Sequence, residues 1–434
     1  MAEETYEQIV KEILSAPRFK EVPSVVNMNR YLKWLGHPEK DFWIIHVAGT
    51  NGKGSTCAFL ESILRMMGYK TGLFTSPHLV SIRERIQIDR ENTDRDALIR
   101  AYQKIGKVRK ESGYGPLTFF EQILVIALLI FQEKKVDYAV IEAGMGGRSD
   151  ATNALTPVLS IVTAVGMDHM EYLGETLEEI AGEKAGIMKE GVPCILVDHQ
   201  KEVTSVFLSE AEKKAVNLCL LPKDCFKILK NNGKVIDFSV ENRYYRNSTL
   251  TVQSRGLYQA ENGAVAATAA KILFPEISDS IIRKALFQAF WPGRMEEVAE
   301  GVVLDGAHNE PSIQAFMESV RGDSKTGKNR ILVFAVAADK DYQAMAEELL
   351  SQQDFRTVIL TTIPYERIED PAKLRPVFEI YETASVYTEA SMEKACEMAF
   401  SMKEKEDIVY FAGSLYFIGS LEQYLKGDEN DDRF

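Results

Sequence analysis

The chain has 434 residues, 45% of them hydrophobic and 26% charged, and a formal net charge of −13 from 51 basic and 64 acidic side chains. That length and apolar fraction are those of a soluble globular protein of two or three domains with ample core. The acidic balance argues against a broad nucleic-acid or membrane surface, so an anionic substrate must be held by local lysines, arginines, metal ions and backbone amides.

Residues 1–40 read as helical and irregular, broken at Pro17, Pro23 and Pro38, and the acidic start carries no signal peptide. The apolar run Phe42–Ala48 predicts a strand that stops at a loop containing Gly49, Gly52, Lys53 and Gly54. Cys57, Leu60, Ile63, Leu64 and Met67 then recur at helical spacing, with Gly68 as the stop. Tyr69–Thr75 reads as a short strand ending in Ser76-Pro77-His78, Arg85–Ile88 alternates weakly, and Asp94–Lys110 reads as a charged helix. Ile123–Phe131 is the longest apolar run, far short of a bilayer span, and reads as a buried helix opened by a Thr118/Glu121 capping box.

Val136–Ala143 and Val158–Ala164 read as buried strands, the first running into Gly144-Met145-Gly146-Gly147-Arg148 and the second into Gly166-Met167-Asp168-His169. A second capping box, Thr176/Glu179, opens a helix through Met188, and Pro193–Val197 returns as a strand. Phe226–Val252 reads as short strands around an Asn-Asn-Gly turn at 231–233, an antiparallel appendage, and Ala260–Ile272 as an alanine-rich helix. Trp291-Pro292-Gly293-Arg294 is the expected junction. Beyond it Val302–Leu304, Arg330–Val336, Thr357–Thr361 and Ile408–Phe411 alternate with helices, and the polar tail Gly427–Arg433 is expected to fray. Five cysteines, Cys57, Cys194, Cys219, Cys225 and Cys396, without paired metal spacing disfavour disulfides and structural zinc and fit a reducing cytoplasm.

The fold class expected is therefore α/β: a P-loop NTPase-like parallel-sheet domain with a small antiparallel appendage over 1–294, then a smaller Rossmann-like domain over 295–434. Strand, glycine loop and helix at Phe42–Met67 are the context of a triphosphate cradle, in which glycines admit backbone amides, the helix N-terminus favours an anion and Lys53 adds a point charge. The hydroxyls of Ser55 and Thr56 are available to Mg²⁺. The motif departs from Gly-x-x-x-x-Gly-Lys-Ser/Thr, since Val47 holds the first glycine position and Gly54 follows the lysine.

Ser76, Glu142 and His169 lie at or past the carboxyl ends of predicted parallel strands, the edge at which open α/β sheets bind ligands. A hydroxyl, a carboxylate, an imidazole and phosphates suit Mg²⁺ or Mn²⁺ better than zinc. Each residue also has a plainer alternative: Ser76 as a turn residue, Glu142 paired with Arg148, His169 as a core histidine. Lys184 falls on the apolar stripe of its helix, either snorkelling or held in the site, where desolvation frees an amine able to take up CO₂ as a carbamate. Asp305, His308 and Ser414 end strands of the second domain, Arg294 lies at the junction within reach of a phosphate, and Asn262 is positioned for a base or ribose.

These motifs resemble the folylpolyglutamate synthase and dihydrofolate synthase branch of the Mur-type ligases. The resemblance rests on His46-Val47-Ala48-Gly49-Thr50-Asn51-Gly52-Lys53-Gly54-Ser55, Thr75-Ser76-Pro77-His78-Leu79, Glu142 to Arg148, Asp150-Ala151-Thr152-Asn153, Asp168-His169, Glu183 to Ile187 and Asp305 to Asn309. It implies ATP bound between two domains. The cradle Gly49, Thr50, Asn51, Gly52, Lys53, Gly54, Ser55 and Thr56, with Asn262, Arg294 and Asp305, would contact ATP. Ser55 would hold one Mg²⁺; Ser76, Glu142, His169 and a carbamylated Lys184 a second. Pro77, His78, Asp150 and Ala151 would meet the pterin, and His308 and Ser414 the incoming glutamate. Lys53, Lys184, His169 and His308 are the catalytic residues so implied. The chemistry implied is folate carboxylate activation as an acyl phosphate, then amide formation with L-glutamate, on a folate and also on dihydropteroate. A cytoplasmic monomer with no nucleic-acid or membrane partner is expected, and a K⁺ requirement is left open.

Two other readings compete. A Mur-type ligase for a non-folate carboxylate is opposed by Ser76-Pro77-His78-Leu79 and Asp150-Ala151-Thr152-Asn153, and a nucleotide switch by the lack of Asn-Lys-x-Asp. A nicotinamide site at Gly144-Met145-Gly146-Gly147 fails because Ser149 occupies the third glycine position; these glycines are expected to allow backbone approach to a ligand.

Overall fold

The computed structural model describes residues 5–17, 24–323, 329–365 and 367–426. Pro23 and the tail Gly427–Arg433 lie outside them. Strands are numbered β1 Trp43–Ala48, β2 Thr71–Phe74, β3 Ile86–Ile88, β4 Glu91–Asn92, β5 Tyr138–Glu142, β6 Leu159–Val162, β7 Cys194–Asp198 and β8 Leu218–Pro222. They form one sheet in the order β4-β3-β2-β5-β1-β6-β7-β8. All neighbours from β2 to β8 are parallel, and β3 and β4 add an antiparallel edge. The central strand β1 is buried from Ile44 to Ala48, because helices cover both faces of a parallel sheet.

One face carries the helices Lys53–Met66, Gln259–Leu273 and Asp279–Gln288 against Ile45 and Val47; the other carries Phe119–Lys134, with the N-terminal helices Tyr6–Leu14 and Ser24–Trp34, against Ile44. Both expected capping boxes form, Thr118 with Glu121 and Thr176 with Glu179. The second helix is Leu177–Ala185 and stops before Met188, because Gly186, Ile187 and Met188 bond back three residues instead of four.

β9 Phe226–Asn231, β10 Val235–Asn242 and β11 Tyr245–Gln253 form the antiparallel appendage, which turns through Gly233 at φ +80° and lays Phe238, Val240, Leu250 and Val252 into the first core. β12 Glu296–Ala299, β13 Val302–Leu304, β14 Arg330–Phe334, β15 Thr357–Leu360, β16 Ser385–Thr388 and β17 Ile408–Ala412 make a second sheet, ordered β12-β13-β17-β14-β15-β16. It is parallel except for β12. Its side chains alternate between two cores, Leu332 and Phe334 on one face and Leu304 and Val333 on the other.

Several elements were not anticipated. β12 and β16 are half-exposed edge strands without a clean apolar period, and the helices Lys201–Lys213 and Asp279–Gln288 each bury only a narrow stripe. The carboxyl ends of β1, β2, β5 and β6 face those of β13, β14 and β17 across a single cavity.

Candidate active site

The cradle is built by local backbone chemistry. Gly49 has φ +147°, and a Cβ there would lie 1.9 Å from Thr163 Oγ1; Gly52 has φ +86°, and a Cβ would lie 2.4 Å from Asn262 Oδ1. Only glycine fits either place. Gly52 caps the helix Lys53–Met66 without a side-chain hydrogen bond, so the first-turn amides stay open to an anion. Thr163 Oγ1 donates to Asn51 O at 2.7 Å and braces the loop from β6. Lys53 Nζ donates to Thr50 O at 3.0 Å, and Gln259 Nε2 donates to Ser55 Oγ at 3.1 Å.

Across the loop, Lys184 is buried, and its Nζ donates to Gly49 O at 3.0 Å. Burial, helped by Lys53, draws its ammonium down to about 7. Glu142 ends β5 and accepts from Ser76 N at 2.9 Å. It forms no ion pair among the described residues, and burial raises its carboxyl above the usual range despite Lys53. Arg148, the alternative partner, instead lies by Glu210 and Gly182 O. His169 does not sit at a strand end. It lies well past β6 at φ +50°, starts the short helix Met170–Leu173, and keeps its side chain 42% exposed.

The second sheet supplies the opposite wall. Asp305 follows β13 and accepts from Tyr258 OH at 2.6 Å, Met295 N at 2.9 Å and Ala307 N at 2.8 Å; burial raises its carboxyl. Arg294 Nη1 donates to Gly293 O at 3.1 Å. His308 Nδ1 lies 2.7 Å from Gly306 O, so that nitrogen carries the proton and Nε2 is the acceptor; burial lowers the ring to about 4 and keeps it neutral. Ser414 follows β17 at the cavity edge.

These residues line one cavity of about 1140 Å³: Gly49 to Ser55, Ser76, Pro77, Glu142, Asp150, Ala151, His169, Lys184, Asn262, Arg294, Asp305, His308 and Ser414. Two do not. Thr56 is fully buried beneath the cradle with Oγ1 unpartnered, and His78 is buried behind Arg85, whose Nε donates to His78 Nδ1 at 2.7 Å. Arg85 itself lines the cavity. Of the glycines at 144–147, Gly144 and Gly146 line the cavity where a ligand would approach. A Cβ at Gly144 would strike the Phe120 ring at 2.7 Å, and one at Gly147 would strike Glu183 O at 2.7 Å, so packing within the protein requires them.

Other residues of the two walls were missed. Lys340 Nζ bonds Asp168 Oδ1 at 2.6 Å, and Asn309 joins Asp168 at 2.9 Å and Asn51 at 3.1 Å, tying the two walls together. Burial opposes the Asp168 charge, but His169, His308 and Lys340 outweigh it and hold the carboxyl well below its usual range. The signal for Lys340 was its place just after the predicted strand Arg330–Val336. Phe119, Phe120 and Tyr416 line the cavity, and nothing in the local sequence separates them from core aromatics.

Residues 47–270 match the Mur ligase middle domain, and residues 293–415 match the Mur ligase glutamate ligase domain. The chain is 35% identical to the dihydrofolate synthase/folylpolyglutamate synthase of Bacillus subtilis, over 94% of this chain and 96% of that one. It is 31% identical to the folylpolyglutamate synthase of Lacticaseibacillus casei, over 98% and 100%. This chain belongs to the folylpolyglutamate and dihydrofolate synthase family of Mur ligases. It is an ATP-dependent carbon–nitrogen ligase of that fold. The Mycobacterium tuberculosis folylpolyglutamate synthase complexed with ADP superposes at a TM-score of 0.87 and 25% identity, covering 98% of this chain and 99% of that one. Escherichia coli FolC in complex with DHPP and ADP superposes at 0.84 and 26% identity, covering 97% and 98%.

Proposed function

We propose that this chain adds L-glutamate to the carboxylate of a folate, and of dihydropteroate, at the expense of ATP. Its domains are 1–294 for ATP and 295–434 for glutamate. The observation that carries this is the pairing of two strand-end surfaces over one cavity. A phosphate cradle, a buried lysine amine and a buried carboxylate face an arginine, a neutral imidazole and a hydroxyl. Aromatic rings in the lining suit a flat heterocycle, and Asn262, Tyr258 and Leu257 suit a nucleoside.

In this reading a folate carboxylate oxygen attacks the γ-phosphorus in line, the bond to the β-phosphate oxygen breaks, and ADP departs. The glutamate amine then attacks the acyl carbon, the carbon–nitrogen bond forms, phosphate leaves and the amine gives up its proton. Lys53, Arg294 and the open amides of the cradle hold the phosphates in line. His308, too weak a base at about 4 to retain a proton, orients the amine by accepting its hydrogen bond at Nε2.

The donor set fits divalent metal: a buried carboxylate without an ion pair, a serine hydroxyl, an accessible imidazole and a lysine neutral enough to take up CO₂. Among the described residues no three His, Cys, Asp or Glu side chains form a ready site, and a Lys184 carbamate would add an oxygen ligand. Ser55 would hold one Mg²⁺, and Ser76, Glu142, His169 and carbamylated Lys184 the second. When bound, these ions supply charge neutralisation for the phosphates.

No described helix is long and apolar enough to cross a membrane. We take the protein as a cytoplasmic monomer acting on small molecules alone. The test is ADP release with ATP, Mg²⁺, glutamate and either dihydropteroate or tetrahydrofolate, with and without K⁺. Turnover must require both pterin and glutamate; pterin-independent turnover sinks the reading.

A further inference from the structure

Behind the cavity wall at Asp150 lies a buried polar chain that the chemistry above does not use. His46, in the middle of β1, is 0% exposed, and its Nε2 lies 2.8 Å from Thr152 Oγ1. Thr152 Oγ1 lies 2.5 Å from Asp150 Oδ1, which also accepts from Thr152 N at 2.9 Å. The other carboxylate oxygen, Asp150 Oδ2, accepts from Met145 N at 2.9 Å. Of the three side chains, Asp150 alone lines the cavity.

The directions of these bonds follow from one orphan atom. His46 Nδ1 meets no hydrogen-bond partner, and a bare ring nitrogen there costs less than an unpaired N–H. The proton therefore sits on Nε2 and is donated to Thr152 Oγ1, and the threonine hydroxyl must turn its own hydrogen to Asp150 Oδ1. With the opposite tautomer the hydroxyl would point at the imidazole and set a lone pair against the carboxylate at 2.5 Å. Burial lowers the ring to about 3, so it stays neutral and the direction persists. Oδ1 is thus saturated from inside the protein, and the carboxylate, bonded also by the Met145 and Gly144 amides, is held rigidly where it lines the cavity.

We infer that His46 is a positioning residue for substrate recognition: through Thr152 it fixes the Asp150 carboxylate at the cavity wall, where it meets an N–H donor on the bound heterocycle. This rests on the reading that Asp150 contacts the pterin. The donors it selects are ring or exocyclic N–H groups of an amino-substituted heteroaromatic.

Steady-state kinetics with tetrahydrofolate and with ATP test it on His46→Phe, His46→Gln, Thr152→Val, Thr152→Ser and Asp150→Ala, with the thermal midpoint of each. His46→Phe and Thr152→Val should raise KM for the folate about tenfold, leaving KM for ATP and kcat within about twofold. His46→Gln, whose amide keeps a donor near the Nε2 place, and Thr152→Ser should restore it. A purely structural histidine would lower the midpoint and move both KM values alike, or leave folate KM unchanged, and either result overturns the inference. Should His46→Phe not fold, the Thr152 pair decides by the same criterion. If Asp150→Ala leaves folate KM unchanged, the pterin reading of Asp150 fails; if it raises KM while the His46 and Thr152 variants do not, the relay alone fails.

Discussion

Lys184 Nζ reaches the carbonyl of Gly49 at 3.0 Å, so an amine from a distant helix closes on the glycine that opens the phosphate cradle. A snorkelling lysine would keep its tip in water; this one is 2% exposed. Lys184→Ala should lower kcat by roughly 10²–10³-fold, the range for losing one preorganised electrostatic group. Short carboxylic acids should restore part of the rate by replacing the carbamate oxygens. Full activity in the unrescued variant would show the lysine to be structural.

His169 offers a contrasting case, because its ring is accessible and holds up no core. His169→Ala should change unfolding free energy by less than about 0.5 kcal/mol. The Mg²⁺ concentration for half-maximal turnover should rise several-fold, with ADP affinity nearly unchanged. Loss of the folded domain in this variant would restore the core-histidine reading.

Arg294 and Asp305 sit where the chain enters the second sheet, and Asp305 is locked by Tyr258 from the first. Arg294→Ala should reduce kcat/KM for ATP about 100-fold, since a charge-assisted phosphate contact is lost while the fold stays anchored by Tyr258. Unaltered ATP kinetics would remove Arg294 from the phosphate site.

The bonds of Asp168 to Lys340 and Asn309 join the two walls directly. Lys340→Ala leaves that carboxylate with less compensation and should loosen closure. The expected result is an increased radius of gyration by small-angle scattering with ATP present and a KM for glutamate raised about tenfold. An unchanged radius and KM would make the pair incidental.

Acid stability should carry the signature of His46. Its folded value is about 3 against an ordinary 6.5, so between those values the unfolded chain takes up a proton that the native ring refuses. Its contribution is complete above 6.5 and is lost as pH falls through that window, with a span on the order of 4–5 kcal/mol. In urea unfolding, His46→Gln should narrow the stability difference between pH 7 and pH 4 by about 3 kcal/mol. An unchanged difference would mean the ring titrates normally.

Features that depend on neighbours in the chain were legible from the residues alone. A glycine loop between strand and helix, a threonine three residues before a glutamate, and an apolar run buried on both faces declare themselves locally. Ser76, Glu142 and Lys184 were legible for the same reason, each by its place on a strand end or an apolar stripe. The half-exposed strands β12 and β16 were not, since an edge strand has no burial to impose a period.

The amino-acid order by itself determined the two α/β units, the cradle and the family motifs. It could not determine that Lys340 and Asn309 close on Asp168, that Arg85 shields His78 from the cavity, or that His46 is wired to Asp150 through Thr152. Backbone conformation answers to sterics and hydrogen bonds a few residues away. Those contacts instead join segments brought together only by burial of several cores, and their energies exist only once water has been excluded between them.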